Sequence, residues 1–429
     1  MAYKTAWAVK SMQAAAFAAF SLSANASGFQ LLEQNASGLG NAYAGAAAVG
    51  EDASTVFFNP AGMTRLQKAE ISAGAALIRP SYRYTNADSQ TGVLAGEGGD
   101  AGALAALPNV YGAYALRPDV YVGLGIGAPF GLKTEYDSPW AGAAQSLKFD
   151  VKTLNVNPSI GWRANEKWSF GAGVNYQKIN IDYVRSVSVA AAPYAASSAQ
   201  FKAEDTGTGW NVGALFTVSP AMRIGMSYRS AIKYSVTGDL LVTGPVAALN
   251  AAGSSAARAN VKLPSSFILS VVQKLDDRWE MLGDLSRTQW SSIRQVDIER
   301  TSGLASGQIA QTLHTDFRDT WRVAFGGTYL INDAWRYRFG IAYDQSPVKG
   351  ADQRLVSLPD NDRLWFTSGV QWQVRPGARL DLGAAYLHVR PAAIHNDQRA
   401  AAATANRGLV DGRYEGSVVI LGLQYSHAF

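Results

Sequence analysis

From residue 68 onward the chain alternates, with large apolar side chains at one parity and small or polar ones at the other. In "WRVAFGGTYL", Trp321, Val323, Phe325 and Tyr329 share one face, and Arg322, Ala324, Gly326 and Thr328 share the other. The next segment, "WRYRFGIAYD", sets Trp335, Tyr337, Phe339, Ile341 and Tyr343 opposite Arg336, Arg338, Gly340, Ala342 and Asp344. A period of two marks β-strands with two unlike faces. In a soluble sandwich the apolar face turns inward; in an outer-membrane barrel it meets lipid, and the polar face lines the lumen. Two features favour the barrel. Aromatic residues bracket the apolar face at Trp335 and Tyr343, and a span of about eight residues at ~3.3 Å each, tilted by ~40°, covers roughly 20 Å, close to the height of a lipid-facing band. The connections also alternate in length. Tight turns at 117–119, 164–167, 219–221, 276–278, 332–334 and 375–378 separate longer segments, as short periplasmic turns separate long external loops.

Counting these segments predicts a transmembrane antiparallel β-barrel of about fourteen strands over residues 69–429, with the third near 119–132, the sixth near 204–219, the thirteenth near 378–390 and the last near 414–429. The last strand ends on Phe429, an aromatic terminus suited to recognition by barrel-assembly machinery. Residues 27–68 differ: they lack sustained alternation and are rich in Gly, Ala and small polar residues. A barrel of this size encloses water unless it is plugged. A compact small-residue segment ahead of the first strand suits a hatch inside the lumen, and Phe29, Phe57 and Phe58 argue against its free exposure in the periplasm.

Residues 1–26 read as a secretory signal peptide: Lys4 and Lys10 are basic, "MQAAAFAAFSL" is a short apolar core, and Ala24-Asn25-Ala26 is a cleavage signal. No later run is long and apolar enough for a transmembrane helix. Removing the leader lowers the formal charge from +5 to +3. That charge is spread without a basic stripe, so nucleic acid is not an expected partner. There is no Cys in the chain, which excludes disulfides, thiolate metal sites and a cysteine nucleophile. The four histidines are scattered, so no metal or other cofactor is expected. None of them is placed convincingly beside a lumenal serine, which argues against a barrel phospholipase; the apolar hatch argues against a general porin. "GLGIGA" (123–128) looks like a dinucleotide loop, but Pro129 and Gly131 stop any helix and no βαβ unit follows. Glycines and a proline inside a strand instead mark a bulge or kink at Gly127, Pro129 and Gly131.

Several pieces, in order, resemble the FadL/TodX family of outer-membrane long-chain fatty-acid and hydrocarbon transporters: "GFQLLEQNASGLGNAYAG", "DASTVFFNPAGM", "WSFGAGVNY", "LPSSF", "FRDTWRVAFGGTY", "YDQSPV" and "LPDNDRLWF". Uptake by passive diffusion is expected, because no nucleotide motif appears. The resemblance implies a fourteen-stranded barrel and a lumenal hatch. Ligand is captured outside, held in a pocket near the hatch, and released sideways through a gap at the third strand, where Gly131 matches the kink glycine. It implies that Arg185 and Arg318 bind the ligand carboxylate and that Phe29 touches its tail; at Arg318 the family's lysine is replaced by arginine. Strand parity places both arginines on the lumenal face, where bracing of the barrel by ion pairs is the competing reading. Arg223, Arg229, Arg322, Arg336 and Arg338 are expected to brace. The apolar external segments near 189–203 and 244–257 could form a capture groove. Pro60 turns the chain sharply, and Asn59-Pro60-Ala61 is expected to sit against the third-strand gap, with Phe57 and Phe58 sealing the plug. The expected ligand is a long-chain fatty acid, the alternative a neutral hydrocarbon, and the expected setting the outer membrane of a Gram-negative bacterium.

Overall fold

The computed structural model describes residues 28–303 and 305–429; the expected leader lies outside them. Among the described residues, fourteen antiparallel strands form the wall. In chain order they are β1 (Ala69–Asn86), β2 (Ala105–Arg117), β3 (Val120–Gly127 and Gly131–Glu135), β4 (Lys148–Arg163), β5 (Trp168–Ser186), β6 (Ser198–Ser219) and β7 (Met222–Arg229 and Ile232–Thr243). There follow β8 (Ser255–Leu263 and Ser266–Lys274), β9 (Trp279–Thr288 and Gln295–Arg300), β10 (Ile309–His314 and Thr320–Asn332), β11 (Trp335–Asp344), β12 (Arg363–Arg375), β13 (Ala378–Asp397) and β14 (Leu409–Ala428). Every strand pairs with its sequence neighbours, and β1 pairs with β14 from Glu70–Ala428 to Asn86–Gly412, which closes the barrel. Closure leaves no edge, the condition for strands in lipid. Phe429 is exposed beside the closing seam, its N–H on the Ala69 carbonyl at 2.9 Å.

The alternation lands as the pattern requires. Trp321, Val323 and Phe325 point outward and are exposed, while Arg322 and Ala324 between them are buried. All six tight turns join consecutive strands. The thirteenth strand runs on past residue 390, because a bulge between Val389 and Ala392 absorbs Pro391 without ending the ladder. The sixth begins at Ser198, where Ala199, Phe201 and Ala203 already face inward.

The hatch, from residue 28 to the start of β1, fills the lumen with three short helical turns, Leu39–Asn41, Thr55–Phe58 and Pro60–Arg65. It lies against glycines of the wall. A Cβ on Gly171 would stand 2.4 Å from the Ala61 nitrogen, so the wall accepts this plug only where side chains are absent. Arginines expected to brace do so by gripping it. Arg338 meets Glu51 at 2.7 Å and the Ser37 carbonyl at 2.5 Å, Arg322 donates to the Ala42 carbonyl at 2.6 Å, and Arg223 donates to the Ala48 carbonyl at 3.4 Å. Strands β7 to β10 are each interrupted, at 230–231, 264–265, 289–294 and 315–319, in one neighbourhood of the wall.

Candidate functional site

The two halves of β3 both pair with β4, Gly127 opposite Asn155 and Gly131 opposite Lys152. Residues 128–130 therefore oppose only Thr153 and Leu154, and the extra residue makes a bulge. On the other side, pairing with β2 stops at Val110–Ile126. Backbone groups left without a ladder partner are costly at membrane depth, and the start of the hatch takes them up. The Leu31 N–H donates to the Pro129 carbonyl at 2.8 Å, and the Gly131 N–H donates to the Phe29 carbonyl at 2.9 Å. Gln34 Nε2 donates to the Ala128 carbonyl at 2.8 Å. Within the wall, Thr153 Oγ1 accepts from the Phe130 N–H at 3.0 Å and donates to its carbonyl at 2.6 Å. A Cβ on Gly127 would come within 2.6 Å of Gln34 Oε1, so glycine there admits the amide.

The segment opposite the gap is thus residues 29–34, which corrects the expectation for Asn59-Pro60-Ala61. Asn59 sits over β6: its Nδ2 donates to the carbonyls of Ala47 at 2.6 Å and Ala214 at 3.0 Å, and its Oδ1 accepts from the Ala61 N–H at 3.1 Å. Pro60 and Ala61 pack on Gly161 and Gly171 of β4 and β5. The Asn-Pro step caps the turn Pro60–Arg65 and is fully occupied in doing so. Phe57 lies under the Arg229 guanidinium, 4.2 Å from its ring centre, and Phe58 packs on Tyr43. Val56, from the same stretch, does reach β3, at Gly123 and Gly125 below the kink.

Above the kink an apolar chamber with a cavity of about 70 Å³ opens between the wall and the hatch. Phe29 and Leu132 border it near the kink; Val151, Ile179, Ile181, Tyr183, Phe201, Leu263, Ile293, Ile298, Leu313 and Phe317 line it around the wall, and Leu355 and Leu358 come from the β11–β12 loop. Phe29 packs edge-on to Trp290 at 4.8 Å and to Phe130 at 6.1 Å. The interruptions in β9 and β10 add Ile293, Thr315 and Phe317 to this lining, because a wall released from its ladder can bow outward and turn such side chains in. Trp290, fully buried in the β9 interruption, was not singled out in the sequence: it sits in a 3-10 turn, where a period of two says nothing.

Along β5 the lumenal face reads Asn175, Gln177, then Ile179, Ile181, Tyr183, then Arg185. Below the chamber, amides of Asn155, Asn157, Asn175 and Asn211 bond to one another at 2.9–3.1 Å. Above it the next inward positions are Arg185 on β5, Arg300 on β9 and Gln311 on β10. Arg185 is buried; its Nε donates to Gln311 Oε1 and its Nη1 to the carbonyls of Ser186 at 2.8 Å and Val187 at 3.1 Å. Gln311 in turn donates to the Tyr183 hydroxyl at 3.0 Å. Arg318 lies elsewhere. On β10 the odd positions Gln311, Leu313, Thr315 and Phe317 face inward, but from Thr320 the even ones do, so the count slips between 317 and 320 and Phe317 takes the inward place. Arg318 is about one-third exposed, with its Nη2 3.5 Å from Asp362 and its Nε on the Ser346 carbonyl at 3.0 Å. The structure does not bring Arg318 to Arg185 through any shared partner.

A plugged, fourteen-stranded, lipid-facing barrel with a bulged third strand is a distinctive combination, and the family model for outer membrane transport proteins (OMPP1/FadL/TodX) matches residues 17–429. The chain belongs to the OMPP1/FadL/TodX family. A long-chain fatty acid transport protein of Salmonella typhi is 30% identical over the whole of both chains. Outer membrane protein P1 of Haemophilus influenzae is 31% identical, covering 85% of this chain and 86% of that one. Among solved structures, a Pseudomonas aeruginosa FadL homologue superposes with a TM-score of 0.83 at 22% identity, covering 93% of this chain and 99% of that one. The Ralstonia pickettii toluene transporter TbuX superposes at 0.67 and 16%, over 93% and 100%. As an OMPP1/FadL/TodX protein, the chain is an outer-membrane transport barrel of a Gram-negative bacterium and not an enzyme.

Proposed function

We propose that this barrel takes up long-chain fatty acids by passive diffusion: capture at the external loops, lodging in the apolar chamber, and lateral exit at the bulge of β3. The observation that carries the reading is the order of tiers on the lumenal wall, an apolar chamber with the buried Arg185 directly above it. A carboxylate leaving water needs a fixed cation, and a guanidinium supplies one with two parallel donors. The acyl tail then points down toward Phe29. Phe29 joins the two halves of the pathway, because its ring borders the chamber and its carbonyl holds Gly131 at the kink. A tail that displaces Phe29 withdraws that acceptor. Leaving the buried Gly131 N–H without an acceptor costs about 1–3 kcal/mol, a barrier that thermal motion crosses readily.

A neutral hydrocarbon is the second reading, favoured by the absence of charged residues from the chamber lining and by fold likeness to a toluene transporter. Uptake of oleate and toluene by cells carrying Arg185→Ala separates the two. The fatty-acid reading expects oleate uptake to fall by about tenfold, the value of one charge-assisted bond, with toluene uptake unchanged; undiminished oleate uptake would sink it. We also assign the outward apolar band to contact with outer-membrane lipid and Phe429 to recognition by barrel-assembly machinery.

A further inference from the structure

Three arginines gather at the outer end of the chamber with no acid among them. Arg185 and Arg300 occupy the tier above Tyr183 and Ile298, and Arg407 folds in from the β13–β14 loop. Arg407 and Arg300 both lie within electrostatic reach of Arg185. Arg407 Nη2 donates to the Ala310 carbonyl at 3.1 Å, and the adjoining Gln311 side chain accepts from Arg185 Nε. Arg300 Nη1 is held by the Gly253 carbonyl at 2.5 Å and Ser255 Oγ at 3.2 Å. None of the three takes part in an ion pair among the described residues, whereas Arg318 pairs with Asp362 and Arg338 with Glu51. Arg407 Nε is buried with no acceptor at all. Like charges gathered out of water and left without a counter-charge are costly. Carbonyl contacts fix their positions but do not neutralise them.

On the proposal that the chamber takes an acyl chain, we infer that Arg407 is the second cation of the carboxylate seat, pairing with Arg185 across the head group while Arg300 adds long-range attraction. Arg185 Nη2 and Arg407 Nε are the donors left for it, since neither has an acceptor among the described residues. The seat makes the 398–408 loop a specificity element, although its sequence, "QRAAAATANRG", carries no strand pattern.

The test is binding of oleate and of oleyl alcohol, which has the same tail without the charge, to the purified full-length barrel and to Arg407→Met, Arg407→Lys and Arg318→Met. The wild-type chain is expected to prefer oleate. Arg407→Met should lower oleate affinity about tenfold, the worth of one charged hydrogen bond, and leave oleyl alcohol unchanged. Arg407→Lys should restore most of the loss, and Arg318→Met should lower neither ligand. The ratio of the two ligands on one preparation cancels any loss of folded protein. Equal losses for both ligands, or no loss for either, would show that Arg407 only braces its loop and would overturn the assignment. A selective oleate loss in Arg318→Met alone would move the second cation there. If the wild-type chain binds the alcohol as well as the acid, the fatty-acid reading itself fails, an outcome distinct from failure of Arg407.

Discussion

Asn59 shows how much one polar side chain can hold in a lumen. Its amide spans the hatch backbone at Ala47 and the wall at Ala214, and it caps the turn that follows. Truncation to alanine removes three bonds and should cost about 2 kcal/mol, seen as a lower unfolding temperature in detergent or faster proteolysis of the hatch. Gly213→Ala should have a similar effect, because its Cβ would stand 1.9 Å from Asn59 Oδ1. The double variant should cost little more than either single change, since both spoil one contact. Legibility at this scale followed the period of two. Arg185 could be placed on the lumenal face from Trp168 and Phe170, because β5 has no interruption. Arg318 could not, because the regular strand that carries Trp321 and Phe325 starts only at Thr320, and the inward parity slips between there and Phe317. Arg407 and Trp290 lie in a loop and a 3-10 turn, where parity has no meaning.

The elements were more legible than their contacts. Strand number, turn positions and the presence of a plug follow from alternation and composition, since lipid on one side and lumen on the other enforce them at every residue. Which part of the plug meets the kink does not follow, because Gln30 and Phe130 sit 100 positions apart and neither belongs to a regular pattern. The two form an isolated antiparallel bridge. Directly opposed residues of this kind have Cα atoms about 4.5–5.5 Å apart, within the range a disulfide accepts. Since the chain has no Cys of its own, Gln30→Cys with Phe130→Cys gives a clean lock. Oxidised cells should lose most oleate uptake and regain it with reductant. Uptake that ignores the redox state would mean that the start of the hatch stays in place during transport.

For the molecule as a whole, the hatch decides between a channel for ions and a route for single lipophilic molecules. The intact chain should pass almost no current in a planar bilayer, and removal of residues 28–66 should raise its conductance by about an order of magnitude, as in an unplugged barrel of this width. The wall also has a graduated scale built into it. From Ile179 to Arg185 the lumenal face of β5 climbs three rungs, or ~20 Å along the strand and roughly 15 Å along the barrel axis at a tilt of ~40°. That is the reach of an extended acyl chain rather than of one aromatic ring. On the proposed fatty-acid reading, amides would stop the tail below and arginine the head above, and the barrel would work as a ruler whose smallest division is one pair of residues.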